Sequence, residues 1–127
     1  MLDANIVVRY IVEDDTKKAQ RFAELLKNSR HSYILTDVTI AEIVWVLESY
    51  YQVFRSDIAD KLHALLAVNT LSCNKEILGR ALEYYKQFPV DYIDAYLASY
   101  AEKVGKLEIL SYDHDLDKIP QTKRIEP

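Results

Sequence analysis

A single cysteine, Cys73, stands in 127 residues, so no internal disulfide can form and a reducing compartment is the expected setting. As a lone thiol it reads as a buried apolar filler beside Leu71. Two glycines and three prolines leave little room for flexible linkers. No apolar run approaches the ~18–20 residues that span a bilayer. The opening stretch, MLDANIVVRYIVEDD, carries an acid at its third position and ends in acids where a signal peptide has small residues, so it is not read as a leader and the cytoplasm is the expected location. Positive charge is also short: 16 Lys and Arg against 20 Asp and Glu give a net charge of −4. That excludes broad, charge-driven nucleic-acid binding. It leaves open a nuclease whose surplus carboxylates are metal ligands offset by a cation.

What the chain does have is apolar content. Half of the residues are apolar, enough for a core, and the length fits one domain over 1–127. Ile, Leu, Val and Tyr recur throughout, with no repeat or low-complexity tract.

Periodicity divides this content into helices and short strands. Thr16–Lys27 carries Ala19, Phe22, Ala23 and Leu26 on one stripe and predicts an amphipathic helix. Ser32–Thr36 predicts a buried strand, and a helix opens at Thr39-Ile-Ala-Glu42, with Ile40, Ile43, Val44, Leu47 and Tyr51 at helical spacing. Arg55-Ser56-Asp57 breaks it, and Ser56 is the expected cap of the next helix. Thr70–Cys73 is a second short strand, and Asn74 caps a helix running to Tyr85. A further helix starts at Asp91 after Pro89 and ends near Gly105. Leu107–Leu110 is a third strand and Lys123–Glu126 a weak terminal one. Short apolar strands alternating with helices predict an α/β fold with a parallel sheet covered on both faces, where ligands bind beyond the carboxyl ends of the strands.

Four acids, Asp3, Glu42, Asp94 and Asp113, fall where an apolar element gives way to a helix. If the strands are parallel, these junctions gather on one edge. Converging carboxylates repel and call for a hard cation such as Mg²⁺ or Mn²⁺. Zinc is not indicated, because His31, His63 and His114 are scattered. Each acid also has a plainer reading: Thr39-x-x-Glu42 and Asp91-x-x-Asp94 have the form of capping boxes, and Asp113 suits a turn.

The segments LDANIVVRY (2–10), TIAEIVWVL (39–47), DYIDAYLA (91–98) and SYDHDLD (111–117) resemble, in order and nearly end to end, the four acidic motifs of PIN domains, most of all the VapC toxins of toxin–antitoxin pairs. The resemblance implies a three-layer α/β/α domain and a Mg²⁺- or Mn²⁺-dependent endoribonuclease acting on RNA. It further implies a cognate antitoxin that blocks the site and a homodimer. By motif position it assigns Asp3, Glu42, Asp94 and Asp113 to the metal and to catalysis. Asn5 and Ser111 match supporting polar positions, and Asp115 a second acid of the last motif that binds metal or supports the site; Asp91 is favoured as a cap. Only Met1 and Leu2 precede Asp3, where the family has several strand residues, so the first strand of the sheet is expected to be truncated.

Arg9, Lys17, Lys18, Arg21 and Lys118, with Lys123 and Arg124, are candidates for holding an RNA backbone, each equally readable as part of a solvated face. The ten tyrosines are possible stacking platforms, although most fall at core spacing. Tyr50 and Tyr51, with Phe54 and Trp45, alternatively form a dimer or antitoxin surface. Rival readings are a Mg²⁺-dependent phosphatase or DNA nuclease using the same acids, and a degenerate PIN-like binding module without activity.

Overall fold

Leu2 donates its backbone N–H to the carbonyl of Ile34 at 2.8 Å, just before the chain turns into a helix. The computed structural model describes residues 1–28 and 30–127. Its order is α1 (Ala4–Val12), α2 (Thr16–Lys27), β1 (Tyr33–Ile34), α3 (Asp37–Ser49), α4 (Arg55–Leu66), β2 (Leu71–Ser72), α5 (Lys75–Gln87), α6 (Tyr92–Lys103), β3 (Glu108–Leu110), a 3-10 helix (His114–Lys118) and β4 (Lys123–Ile125). The chain is thus α/β, mostly helical with short parallel strands. Contacts divide it into two compact units, Met1–Asn74 and Lys75–Pro127. Among the described residues no helix is long and apolar enough to cross a membrane.

In the first unit β1 and β2 pair in parallel, Tyr33 with Leu71 and Ile34 with Ser72. The connection between them is α3 and α4. Asp3 caps α1, its Oδ1 accepting from the N–H of Ala4. Helix α1 packs on α2 and on α3, with Tyr10 and Phe22 meeting edge to face at 5.3 Å between centroids. Val7, Ile40, Ile43, Leu47, Ile58 and Leu62 are fully buried. Burial of each such side chain contributes about 1.5–3 kcal/mol, which is what short strands without long ladders depend on.

The caps differ from expectation at two places. Helix α3 begins at Asp37, two residues before Thr39, because Thr36 already supplies a cap: its Oγ1 accepts from the N–H of Thr39 at 3.1 Å. Glu42 is therefore in the second turn and is no partner in a capping box. Likewise α4 begins at Arg55, with Phe54 at the cap position and no side-chain bond, so Ser56 lies inside the helix. Cys73 is half-buried instead of fully enclosed.

In the second unit α5 and α6 form a tightly packed antiparallel pair. Ala81, Leu82, Tyr84, Tyr85, Ala95 and Ala98 are all fully buried, and the buried Ser99 hydroxyl donates to the carbonyl of Ile77. Arg80 bridges Glu83 at 2.8 Å and Glu102 at 3.0 Å, while the Tyr84 hydroxyl also donates to Glu102 at 2.7 Å. Helix α6 ends in a Schellman turn: Gly105 adopts φ +71° and the N–H of Lys106 reaches back to the carbonyl of Ala101. Strands β3 and β4 pair in parallel, Glu108 with Lys123 through Leu110 with Ile125.

Candidate metal centre

Two chain segments of the second unit deliver three carboxylates to one place. At the start of α6, Asp91 accepts from the N–H of Asp94 at 3.0 Å through Oδ1, so Asp91 is the cap and Asp94 is fixed in the first turn. At the end of β3, the Ser111 hydroxyl accepts from the N–H of Asp113 at 2.9 Å. Asp113 in turn accepts from the N–H of Asp115 at 2.9 Å and caps the 3-10 helix. These local bonds satisfy backbone donors that a short turn otherwise leaves open. They also aim the side chains: one carboxylate oxygen from each of Asp94, Asp113 and Asp115 lies within 4.8 Å of the others.

The electrostatics of this group are unfavourable on their own. Asp94 is only 6 % exposed, and its Oδ2 is buried with no hydrogen-bond partner among the described residues. Burial, followed by the charges of Asp91, Asp113 and Asp115, pushes its pKa up to about 6. One cation answers part of the charge: Lys118 meets Asp115 at 2.6 Å. A buried carboxylate with an unpartnered oxygen, grouped with two more carboxylates, suits a hard cation that takes oxygen ligands. The residues present therefore fit a divalent metal ion, held by Asp94, Asp113 and Asp115.

The remaining sequence candidates have clear positions. Asp3 and Glu42 are exposed residues of the first unit, Asp3 at the start of α1 and Glu42 on α3. Neither belongs to the three-carboxylate group, which Asp115 joins. Asn5 and Arg9 lie one turn apart on α1, and with Glu42 they line one cleft of the first unit. Ser111 supports Asp113, as its motif position implies. Among the basic candidates, Lys118 is engaged by Asp115, Lys123 by Glu108, and Lys18 loosely by Asp15 at 3.9 Å. Arg124 is spent on Asp117 and Glu126 and on the Ser111 carbonyl, which ties β4 to the loop that carries Asp113. Arg9, Lys17 and Arg21 are exposed.

A model of the PIN domain family matches residues 1–121, across both units. The chain belongs to the PIN domain family. No curated protein and no solved structure matches it. PIN domains are in general metal-dependent nucleases that bind nucleic-acid substrates, and the acidic cluster of this PIN domain agrees with such chemistry. Sequence reading left two roles open for Asp115, binding the metal or supporting the site, and the PIN cluster includes its carboxylate. Its signal was there: a Ser-x-Asp-x-Asp run in a tight turn brings alternate carboxylates to one side.

Proposed function

We propose that this PIN domain is a divalent-metal-dependent endoribonuclease, a single catalytic domain over residues 1–127 that hydrolyses RNA phosphodiester bonds with Mg²⁺ or Mn²⁺. The observation that carries the reading is the buried carboxylate of Asp94, which has an unpartnered Oδ2 and is grouped with those of Asp113 and Asp115. The ion supplies a polarised water as nucleophile and neutralises charge that develops on the scissile phosphate.

The chain's own residues do the rest. Asp94 is held by the Asp91 cap, so its carboxylate presents a fixed oxygen to the ion. Asp113 is set by Ser111, and Asp115 is balanced by Lys118; with Asp94 the two would hold the ion. Asp3 and Glu42 are assigned to the same metal site by motif position. Lys118 is then an ammonium close to where a phosphate sits, with Arg9, Lys17, Lys18 and Arg21 as further contacts for the backbone.

The resemblance of all four acidic segments to VapC toxins supports the finer part of the reading: a toxin of a toxin–antitoxin pair, cytoplasmic, homodimeric and blocked by a cognate antitoxin. The test is cleavage of a structured RNA in Mg²⁺ and Mn²⁺, beside a DNA of the same sequence and a small aryl phosphate. RNA alone is expected to be cut, and Asp94→Asn is expected to abolish cutting. Cutting at the native rate by Asp94→Asn overturns the assignment. Hydrolysis of DNA or of the aryl phosphate in preference to RNA replaces it with the corresponding activity, and no hydrolysis together with no metal binding leaves a binding module.

A further inference from the structure

We infer that the cleft between α1 and α3 is a subsite for one unpaired nucleotide of the substrate, with Tyr50 stacking on the base, Tyr51 bracing the Tyr50 ring edge-on and Arg9 holding the phosphate. The inference rests on the nucleolytic reading above and names where the first unit grips the strand.

The cleft measures about 310 Å³ and is lined by Ala4, Asn5, Val8 and Arg9 of α1 and by Glu42, Val46, Tyr50 and Tyr51 of α3 and its end. Each wall follows from helical spacing. Asn5 and Arg9 are four residues apart, and so are Glu42, Val46 and Tyr50, which puts each set on one face. Ala4, Val8 and Val46 are buried or half-buried and form an apolar floor, while Asn5, Arg9 and Glu42 are exposed at its edge. No ion pair or side-chain hydrogen bond engages Asn5, Arg9 or Glu42 among the described residues. A cleft with an apolar floor and a few unspent polar groups is the usual form of a small-molecule or base pocket.

The aromatic end is the second observation. The Tyr50 and Tyr51 rings meet edge to face, 4.9 Å between centroids and 73° apart, and Tyr50 is 77 % exposed. The backbone holds them there. Tyr50 and Tyr51 both donate to the Val46 carbonyl, and Gln52 then takes a left-handed φ of 52°. That conformation is unfavourable for a residue with a Cβ, and it reverses the chain immediately after the pair. An exposed face of a braced ring suits an unstacked base, whose π-face it meets whatever the base.

Charge complementarity selects nucleic acid over an apolar partner. Arg9 is the only charged residue of α1, and Arg21 continues the positive charge along the neighbouring groove between α1 and α2. Guanidinium groups pair with phosphate in a bidentate manner. The one carboxylate of the cleft is Glu42, the residue that its motif position gives to the metal.

The experiment is fluorescence anisotropy with a labelled single-stranded RNA of mixed sequence and the intact chain, in EDTA, where nothing is cut. Tyr50→Ala is expected to weaken binding roughly tenfold. Tyr50→Phe, which keeps the ring, should bind as the native chain does. Arg9→Ala should weaken binding and lower the salt slope by about one. Melting curves of the exposed-residue variants Tyr50→Ala and Arg9→Ala establish that they fold. Equal binding by native chain, Tyr50→Ala and Arg9→Ala overturns the subsite, as does a native chain that binds no RNA. A Tyr50→Ala variant that binds RNA normally but changes oligomeric mass makes the surface a protein interface and also overturns it. Cleavage assays in Mg²⁺ separate the two readings: if RNA is cut while the variants bind normally, the nuclease stands and the subsite falls. If the variants lose RNA but nothing is ever cut, the subsite stands and the nuclease falls.

Discussion

Replacing Asp94 by Asn should make the metal-free protein more stable, although it destroys the proposed activity. The native carboxylate is 6 % exposed, has one oxygen without a partner, and faces Asp113 and Asp115. Its pKa rises from 3.8 to about 6, and each pH unit is worth about 1.4 kcal/mol. The folded state therefore carries a penalty of on the order of 1–3 kcal/mol for this charge, the lower figure allowing for water at the exposed Asp113. The sign follows from linkage. Below pH 3.8 the group is protonated in both states and costs nothing. Between 3.8 and about 6 the unfolded chain gives up the proton first, so stability falls as pH rises, and above 6 the full penalty applies. Asn is neutral throughout and nearly isosteric. Melting in EDTA at pH 7.5 should put Asp94→Asn above the native chain by about 3–10 °C, and the gap should close near pH 4. In Mg²⁺ at ten times its Kd the native chain should gain about 1.4 kcal/mol, while the variant gains little. An Asp94→Asn variant that melts below the native chain at pH 7.5 in EDTA would refute the claim that this carboxylate is electrostatically strained.

Two further outcomes follow from the second unit alone. Gly79 lies inside α5, and a Cβ there would meet nothing within 4 Å, so Gly79→Ala should stabilise the chain by about 0.5–1 kcal/mol in urea titration. Arg80 and the Tyr84 hydroxyl hold the Glu102 carboxyl below its usual 4.5; its contribution is present above pH 4.5 and is lost as the pH falls below that value. Both partners are 37 % exposed, so Glu102→Gln should cost only about 0.5–1 kcal/mol at pH 7 and progressively less as the pH falls below 4.5, measured by denaturant midpoints.

The elements were legible where one physical signal dominated. Strand positions at Tyr33, Leu71, Ile109 and Arg124 and the bounds of α2 follow from alternation, β-branching and a clean amphipathic stripe. The end of α6 follows from Gly105, the one residue there that takes a left-handed φ without cost. Caps were less legible, because several hydroxyls and acids compete for the same donors. Thr36 won over Thr39, and α4 began without any side-chain cap. At the metal centre, Asp94 and Asp113 were named from their junctions, and Ser111 from its motif. The pairing of Lys118 with Asp115 was not visible, since a one-turn spacing permits an ion pair without requiring it. The cleft between α1 and α3 was out of reach as well. Periodicity says which residues share a helix face, but not which two faces come together.

Helix α6 is clamped at each end, by the Asp91 side chain where it begins and by the Gly105 turn where it stops, and it is wedged along its length against α5. A beam fixed in this way cannot slide to carry Asp94 away from its crowded neighbours. Crowding of like charge at its tip can be relieved only by a proton or by a cation arriving from outside, so the framework that makes the helix rigid also keeps the tip primed.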